Sequence, residues 1–167
     1  MSYNLEQGSA LTAVFATATA GAALTGLSGG ATTYSTSLFG FALNGDCFAK
    51  AAVAGGTTPT TDGNTGAAIT LTANKARAIV WAVNSAGTFS VYAGPIVDWT
   101  DTTASSTACP LPNIPGNVAP FAAHTVQAGS TTSGTWTFGS SNWNATGISA
   151  ITVRNLCQLR NQALLTT

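Results

Sequence analysis

Short stretches of alternating apolar and polar residues recur along the chain, and this pattern predicts β-strands because successive side chains of a strand point to opposite faces. Residues 76–83 place one arginine and three large apolar side chains on one face and smaller apolar side chains on the other. A turn at residues 84–87 and a second alternating stretch at 88–93 follow. These three segments predict a β-hairpin.

A second hairpin is predicted around Asn44 and Gly45, which separate the apolar run 38–43 from residues 47–51. Asn-Gly between two apolar runs is a strong hairpin signal, because both central residues of a type I′ turn adopt positive φ. Residues 55–66 are polar and rich in threonine and glycine, which predicts a loop at the surface.

The remaining pattern is weaker. Four prolines in residues 110–120 disfavour a central strand and predict an extended connection. A turn is expected at 129–134, and a short terminal helix is possible at 156–165. Further strands are predicted at residues 70–73, 121–128, 135–138 and 149–156.

Residues 1–35 hold few large apolar side chains among many small ones, so we expect an N-terminal arm or docking segment that needs a partner surface to become ordered. Residues 36–167 form the predicted β domain. The uncharged stretch 9–31 is too weakly apolar to insert into a membrane, and no basic region precedes it, so no signal peptide is predicted. The predicted fold class is all-β: an antiparallel β-sandwich or small barrel built from hairpins, with an extended N-terminal arm.

Charge is scarce: five Lys or Arg, five Asp or Glu and one histidine in 167 residues. Acid–base catalysis and metal binding need several titratable groups or ligands in one place, so the sequence argues against an enzyme and predicts no catalytic residues, cofactor or metal. The scattered basic residues also argue against nucleic-acid binding. A neutral surface is easily buried in an assembly, because few ions must be desolvated.

A few residues are candidates for catalysis or metal binding. Asp98 and Asp101 lie close in sequence and suggest a calcium or acid–base site, but two carboxylates are too few for calcium, and we expect ordinary solvated acids. His124 lacks the sequence context of a hydrolytic triad and is expected to be a plain strand residue. Three cysteines, Cys47, Cys109 and Cys157, are expected to be small buried apolar residues, with a single disulfide as the open alternative.

Aromatic side chains are the remaining candidates. Trp81, Phe89 and Phe138 lie in strand patterns and are expected in the core. Trp99 and Trp143 lie in polar surroundings, so an interface and the core are about equally favoured for them.

In layout and composition, residues 36–156 resemble virion surface proteins of tailed bacteriophages. The likeness rests on the hairpin of residues 41–50, the loop GGTTPTTDGNTGAA, the hairpin IVWAVNSAGTFSVYAGP, the crossing LPNIPGNVAP and the segment TWTFGSSNWNATGI. The resemblance implies a capsid decoration, or cement, protein: a β-sandwich or barrel module, often a trimer over capsomer junctions, without catalytic residues.

We therefore expect a non-enzymatic virion protein on the capsid surface, assembled in the host cytoplasm. Its expected partners are the major capsid protein and further copies of itself, most simply in a homotrimer, and neither nucleic acid nor membrane. The alternative is a receptor- or carbohydrate-binding module of a tail fibre or adhesin, with exposed tryptophans stacking on sugar rings. The expected partner-binding residues are Tyr3, Leu5, Leu11, Phe15, Trp99 and Trp143.

Overall fold

The computed structural model describes residues 13–16, 24–25, 27, 32–100, 109–149 and 153–156. These residues form strands, turns and connections without an α-helix, and every strand pair among them is antiparallel, so the all-β prediction is confirmed. The strands are β1 (Ala13–Ala16), β2 (Leu24–Thr25), β3 (Thr33–Thr36), β4 (Phe39–Leu43), β5 (Asp46–Lys50), β6 (Val53–Thr57), β7 (Thr70–Leu71), β8 (Lys75–Val83), β9 (Phe89–Ala93), β10 (Val97–Asp98), β11 (Ala119–Ala128), β12 (Trp136–Thr137), β13 (Ile148–Ser149) and β14 (Arg154–Asn155).

The two longest strands, β8 and β11, lie side by side at the centre of a six-stranded sheet. Strands β9 and β10 pair with the other edge of β8, and β13 and β14 pair with the other edge of β11. Three smaller sheets, β1-β4-β5, β2-β3-β6 and β7-β12, complete the architecture. Side chains from all four sheets meet in one hydrophobic core.

The core is rich in aromatic contacts. Phe39, in β4, stacks on Phe121 of β11 with ring centroids 5.0 Å apart, and Trp81 of β8 lies 5.9 Å from Phe138. Trp81 and Phe138 are fully buried, as predicted, whereas Phe89 is partly buried against the same core. Aromatic pairs at these distances contribute beyond the apolar area that they bury.

Both predicted hairpins are present. Asn44 and Gly45 have φ values of 55° and 88°, which are the left-handed conformations that join β4 to β5. The turn between β8 and β9 is held by Asn84, whose side-chain oxygen accepts a hydrogen bond from the backbone N–H of Thr88 at 2.9 Å.

Two loop predictions need correction. The surface loop expected at residues 55–66 begins inside β6, and its Thr58 and Asp62 are buried. The proline-rich connection is extended, but Pro120 belongs to the central strand β11, where it lies opposite Ala82. Proline is tolerated there because the register shifts directly after it, at a bulge that needs no ladder hydrogen bond from its nitrogen.

Within the arm expected at residues 1–35, the described parts belong to the body of the protein. β1 pairs with β4, and β3 joins β2 to β6. Leu24, Leu27 and Tyr34 are 1%, 5% and 8% exposed and lie in the common core. These three residues pack in the common core, where strands far along the chain cover them. An arm formed by the other residues of 1–35 stays a prediction. The rest of the segment and residues 157–167, with most of the expected terminal helix, lie outside the described residues.

Candidate interaction sites

Several charged side chains of the described region make internal structural contacts. The ammonium group of Lys75 contacts the carboxylate of Asp98 across the β8–β10 pair, and this hydrogen bond and charge lower the pKa of Asp98. Arg77 donates two hydrogen bonds, from Nε at 3.1 Å and from Nη2 at 2.7 Å, to the carbonyl oxygen of Gly94. Asp98 is thus an exposed acid that pairs with Lys75, and Asp101 lies outside the described residues.

Asp62 is buried and organises its own loop. Its Oδ1 accepts a hydrogen bond from the backbone N–H of Ala93 at 3.0 Å, and its Oδ2 accepts one from the hydroxyl of Thr65 at 2.7 Å. Hydrogen bonds of this kind satisfy a buried carboxylate. Asp62 thus ties the loop to β9.

His124 is enclosed by aromatic rings. Its ring lies 5.9 Å from Phe138 and 6.1 Å from Trp143, and neither ring nitrogen has a hydrogen-bond partner in the described part of the chain. Burial lowers its pKa to about 3, because the charged imidazolium would be desolvated. His124 is therefore a neutral core residue, and among the described residues no serine or carboxylate hydrogen-bonds to it.

The tryptophans expected at an interface are buried. Trp99 is 8% exposed and Trp143 is 3% exposed, and Trp143 packs against Trp136 and Phe138. Their location favours the core over the interface, because a ring that stacks on a partner or a sugar must expose one face. The burial of Trp99 and Trp143 could not be inferred from their polar neighbours in the sequence.

The other expected contact residues lie in the N-terminal segment. Tyr3, Leu5 and Leu11 are outside the described residues, and Phe15 lies in β1, opposite Gly40 of β4. A contact role for these four residues stays a prediction.

The three cysteines differ in exposure. Cys47 is an exposed free thiol, which corrects the expected burial. Cys109 is half-buried, and burial raises the pKa of its thiol. Cys157 lies outside the described residues.

An exposed apolar surface lies where the chain passes β9 and the proline-rich connection. Gly94 packs so closely against Pro110 that a Cβ atom on Gly94 would lie 2.2 Å from the Pro110 carbonyl oxygen. Pro95 and Ile96 follow Gly94 in the sequence and Leu111 follows Pro110, so all of them lie within two residues of this close contact. We call Pro95, Ile96, Pro110 and Leu111 the proline ridge; all four are exposed, with Ile96 at 50% and Leu111 at 63%.

A second candidate site is a half-open pocket of about 270 Å³ between two loops that follow β11. Three of its lining residues come from the 132–135 turn and three from residues 141–146, and Trp136 completes the wall. We call it the hydroxyl pocket. It is lined by Thr132, Ser133, Thr135, Trp136, Ser141, Ala145 and Thr146.

The sequence predicted a turn at 129–134 but no binding site. The available signal was a tryptophan with serine and threonine on both sides, which by itself also fits an ordinary loop. Only the folding of residues 141–147 back onto the turn brings the hydroxyl groups together. This contact includes the hydrogen bond from the N–H of Gly129 to the carbonyl oxygen of Gly147 at 2.7 Å.

Among the described residues, no group of three or more His, Cys, Asp or Glu side chains is placed to hold a metal ion. The same residues include no helix that is long and apolar enough to span a membrane. No protein-family model, curated protein or solved structure matches this chain.

Proposed function

We propose that this chain is a non-enzymatic structural protein of a tailed-bacteriophage virion, which decorates the capsid and stabilises it by binding the major capsid protein. The observation that supports this role best is the proline ridge, an exposed apolar surface on a chain with very little charge. Exposed apolar residues that cluster on a surface mark protein–protein contact sites, and the ridge residues lie within two positions of the Gly94–Pro110 contact. The layout that resembles phage virion surface proteins supports the same proposal.

The physical basis of stabilisation is added contact area. Burying an exposed leucine or isoleucine side chain in a contact contributes up to about 1.5–3 kcal/mol. A decoration protein binds many equivalent sites of a shell, and oligomers of the chain, such as a trimer, would link several such contacts through multivalency. A surface with few charges loses little in desolvation when it is covered.

The first test is whether purified phage particles contain the chain, and in how many copies, measured by quantitative mass spectrometry. The second adds purified protein to particles that lack it and measures occupancy and the temperature at which the particles release DNA. We expect wild-type protein to saturate the particles and raise that temperature. The double variant I96S/L111S should bind at least tenfold more weakly, since it loses the two most exposed large apolar side chains of the ridge.

Leu38 supplies a matched control, because it is 50% exposed and lies before β4, outside the ridge. The L38S variant should bind like the wild type. Particles without the chain would refute the virion role. Equal binding by I96S/L111S and L38S would refute the role of the proline ridge.

A receptor- or carbohydrate-binding module is the second candidate, and the hydroxyl pocket is the observation that favours it. Copy number separates the two functions. A decoration protein is present in hundreds of copies per particle, whereas a receptor-binding tip is present in a few tens at most.

A further inference from the structure

The hydroxyl pocket has a wall chemistry that selects for one class of ligand. Five of its seven lining residues are serine or threonine, and none carries a charge. A charged ligand would lose hydration there without an opposite charge to replace it, and an apolar ligand would leave the hydroxyl groups unpaired. The wall therefore suits a neutral ligand that is itself rich in hydroxyl groups, since each hydroxyl both donates and accepts.

The pocket size narrows this class to a single ring. Its volume of about 270 Å³ lies below the lower end, roughly 300 Å³, of pockets for drug-sized ligands. The methyl group of Ala145 and the ring of Trp136 provide the apolar part of the wall. A pyranose presents C–H groups beside its hydroxyls and matches such a mixed wall.

The walls are held in place before any ligand binds. The indole N–H of Trp136 donates to the carbonyl oxygen of Asn142 at 2.9 Å, which fixes the ring. Trp136 is 3% exposed, so only a small part of its ring borders the pocket. The hydroxyl of Ser141 accepts from the N–H of Thr137 at 3.0 Å, so its own proton is available to a ligand. The hydroxyl of Thr132 is buried beside Gly147 without a partner among the described residues, and the exposed lining residues are Ser133, Thr135 and Thr146.

Gly147 allows the two walls to approach. It has φ of +83°, and a Cβ atom there would lie 2.4 Å from the backbone nitrogen of Thr132. The pocket is thus a built feature of two tightly packed loops and not a gap between flexible ones. Preorganised hydrogen-bonding groups reduce the entropic cost of binding.

We infer that the hydroxyl pocket binds a single neutral pyranose unit of a glycan. This inference goes beyond the decoration role and does not rest on it, because the pocket and the proline ridge are formed by different residues. A decoration protein with such a pocket would attach particles weakly to glycan surfaces, and many copies would strengthen the attachment.

The test is an NMR titration of ¹⁵N-labelled protein with the methyl pyranosides of glucose, mannose and galactose. Glucose 6-phosphate serves as a charged probe, and cyclohexanol as a ring with one hydroxyl. We expect at least one pyranoside to bind with a Kd in the millimolar range and to shift the amides of residues 132–135 and 141–146 and the indole N–H of Trp136.

Two exposed threonines of the rim allow a mild perturbation, because valine has nearly the same shape. T135V and T146V should each weaken binding roughly two- to tenfold, as expected for one hydrogen bond between neutral groups. T72V changes an exposed threonine elsewhere and should leave the Kd unchanged. The spectra of all three variants, recorded without ligand, show that each is folded.

Three results would overturn the inference. The first is that no pyranoside shifts the pocket amides at a concentration of about 10 mM, ten times a Kd of about 1 mM. The second is tighter binding of glucose 6-phosphate or cyclohexanol than of every pyranoside. The third is an equal loss of affinity in T72V and in the rim variants. None of these results bears on capsid binding through the proline ridge, so the two proposals fail separately.

Discussion

Gly94 is the position where the structure predicts the largest effect from the smallest change. In Gly94→Ala the new Cβ atom would lie 2.2 Å from the carbonyl oxygen of Pro110 and 3.4 Å from that of Ala78. An ordinary carbon–oxygen contact is more than 1 Å longer than the first of these distances. Both oxygens belong to the backbone, so rotation of a side chain cannot relieve the overlap. The proline-rich connection must therefore move away from β9.

The same glycine is fixed on both of its sides. Its N–H donates to Ala78 at 2.8 Å, and its carbonyl oxygen accepts both hydrogen bonds of Arg77. Insertion of a methyl group into such a packed site costs about 1–3 kcal/mol. For a chain of this size, that corresponds to a fall in Tm of roughly 2–12 °C.

Urea denaturation followed by tryptophan fluorescence measures the change in unfolding free energy. Gly116→Ala is the control, because no atom lies within 4 Å of a Cβ atom at Gly116 and its φ is not positive. We expect the control to stay within about 0.5 kcal/mol of the wild type. If Gly94→Ala were equally neutral, the close packing of β9 against the proline-rich connection would be refuted.

Three further predictions concern stability. His124→Leu should flatten the pH dependence of the unfolding free energy. The pKa of His124 is about 3 in the folded protein and about 6.5 in the unfolded chain, so the unfolded chain takes up the proton first and the wild type loses stability as the pH falls from 6.5 towards 3, by at most about 1.4 kcal/mol per pH unit. Identical slopes for the variant and the wild type in urea titrations from pH 7 to 4 would contradict this. Leu24→Ala should cost about 2–5 kcal/mol, because the side chain is 1% exposed in the core, and a cost below about 0.5 kcal/mol would show that residue 24 belongs to a separate arm. Gly45→Ala should cost about 1–2 kcal/mol at a φ of +88°, and Gly45→Asn less, since asparagine tolerates this conformation; thermal unfolding that ranks the two variants the other way would count against the type I′ turn.

The features that the sequence predicted well are local. Asn44 and Gly45 set the turn of the first hairpin through their own φ preferences, and the alternation in residues 76–83 follows from strand geometry. The two-residue strand β12 was overestimated as residues 135–138, because a short strand is defined by its partner more than by its own pattern.

The features that it missed depend on contacts between distant segments. Trp99 has polar neighbours in the sequence, yet its backbone N–H donates to the carbonyl oxygen of Asn74 and its side chain is buried. Large apolar residues such as Leu24 and Tyr34 are few in the N-terminal sequence, which did not predict a core there. The residues that cover them lie in other sheets. The hydroxyl pocket needs two loops that meet only in the folded chain, so no spacing of serine and threonine could have identified it.

The central position of β8 has a consequence for the order of folding. One edge of β8 pairs with β9, which follows after a short turn, so this hairpin can close quickly after its residues leave the ribosome. The other edge pairs with β11, from Ala119 opposite Val83 to Ala128 opposite Lys75, and only after the whole proline-rich connection has been made. Closing that long loop costs entropy and slows folding. Until then, β8 presents an unpaired edge with the apolar sequence Ala-Ile-Val-Trp-Ala-Val, the kind of template on which nascent chains associate. Conditions that delay synthesis between residues 94 and 128 should therefore favour aggregation of this protein more than delays after β11 has been made.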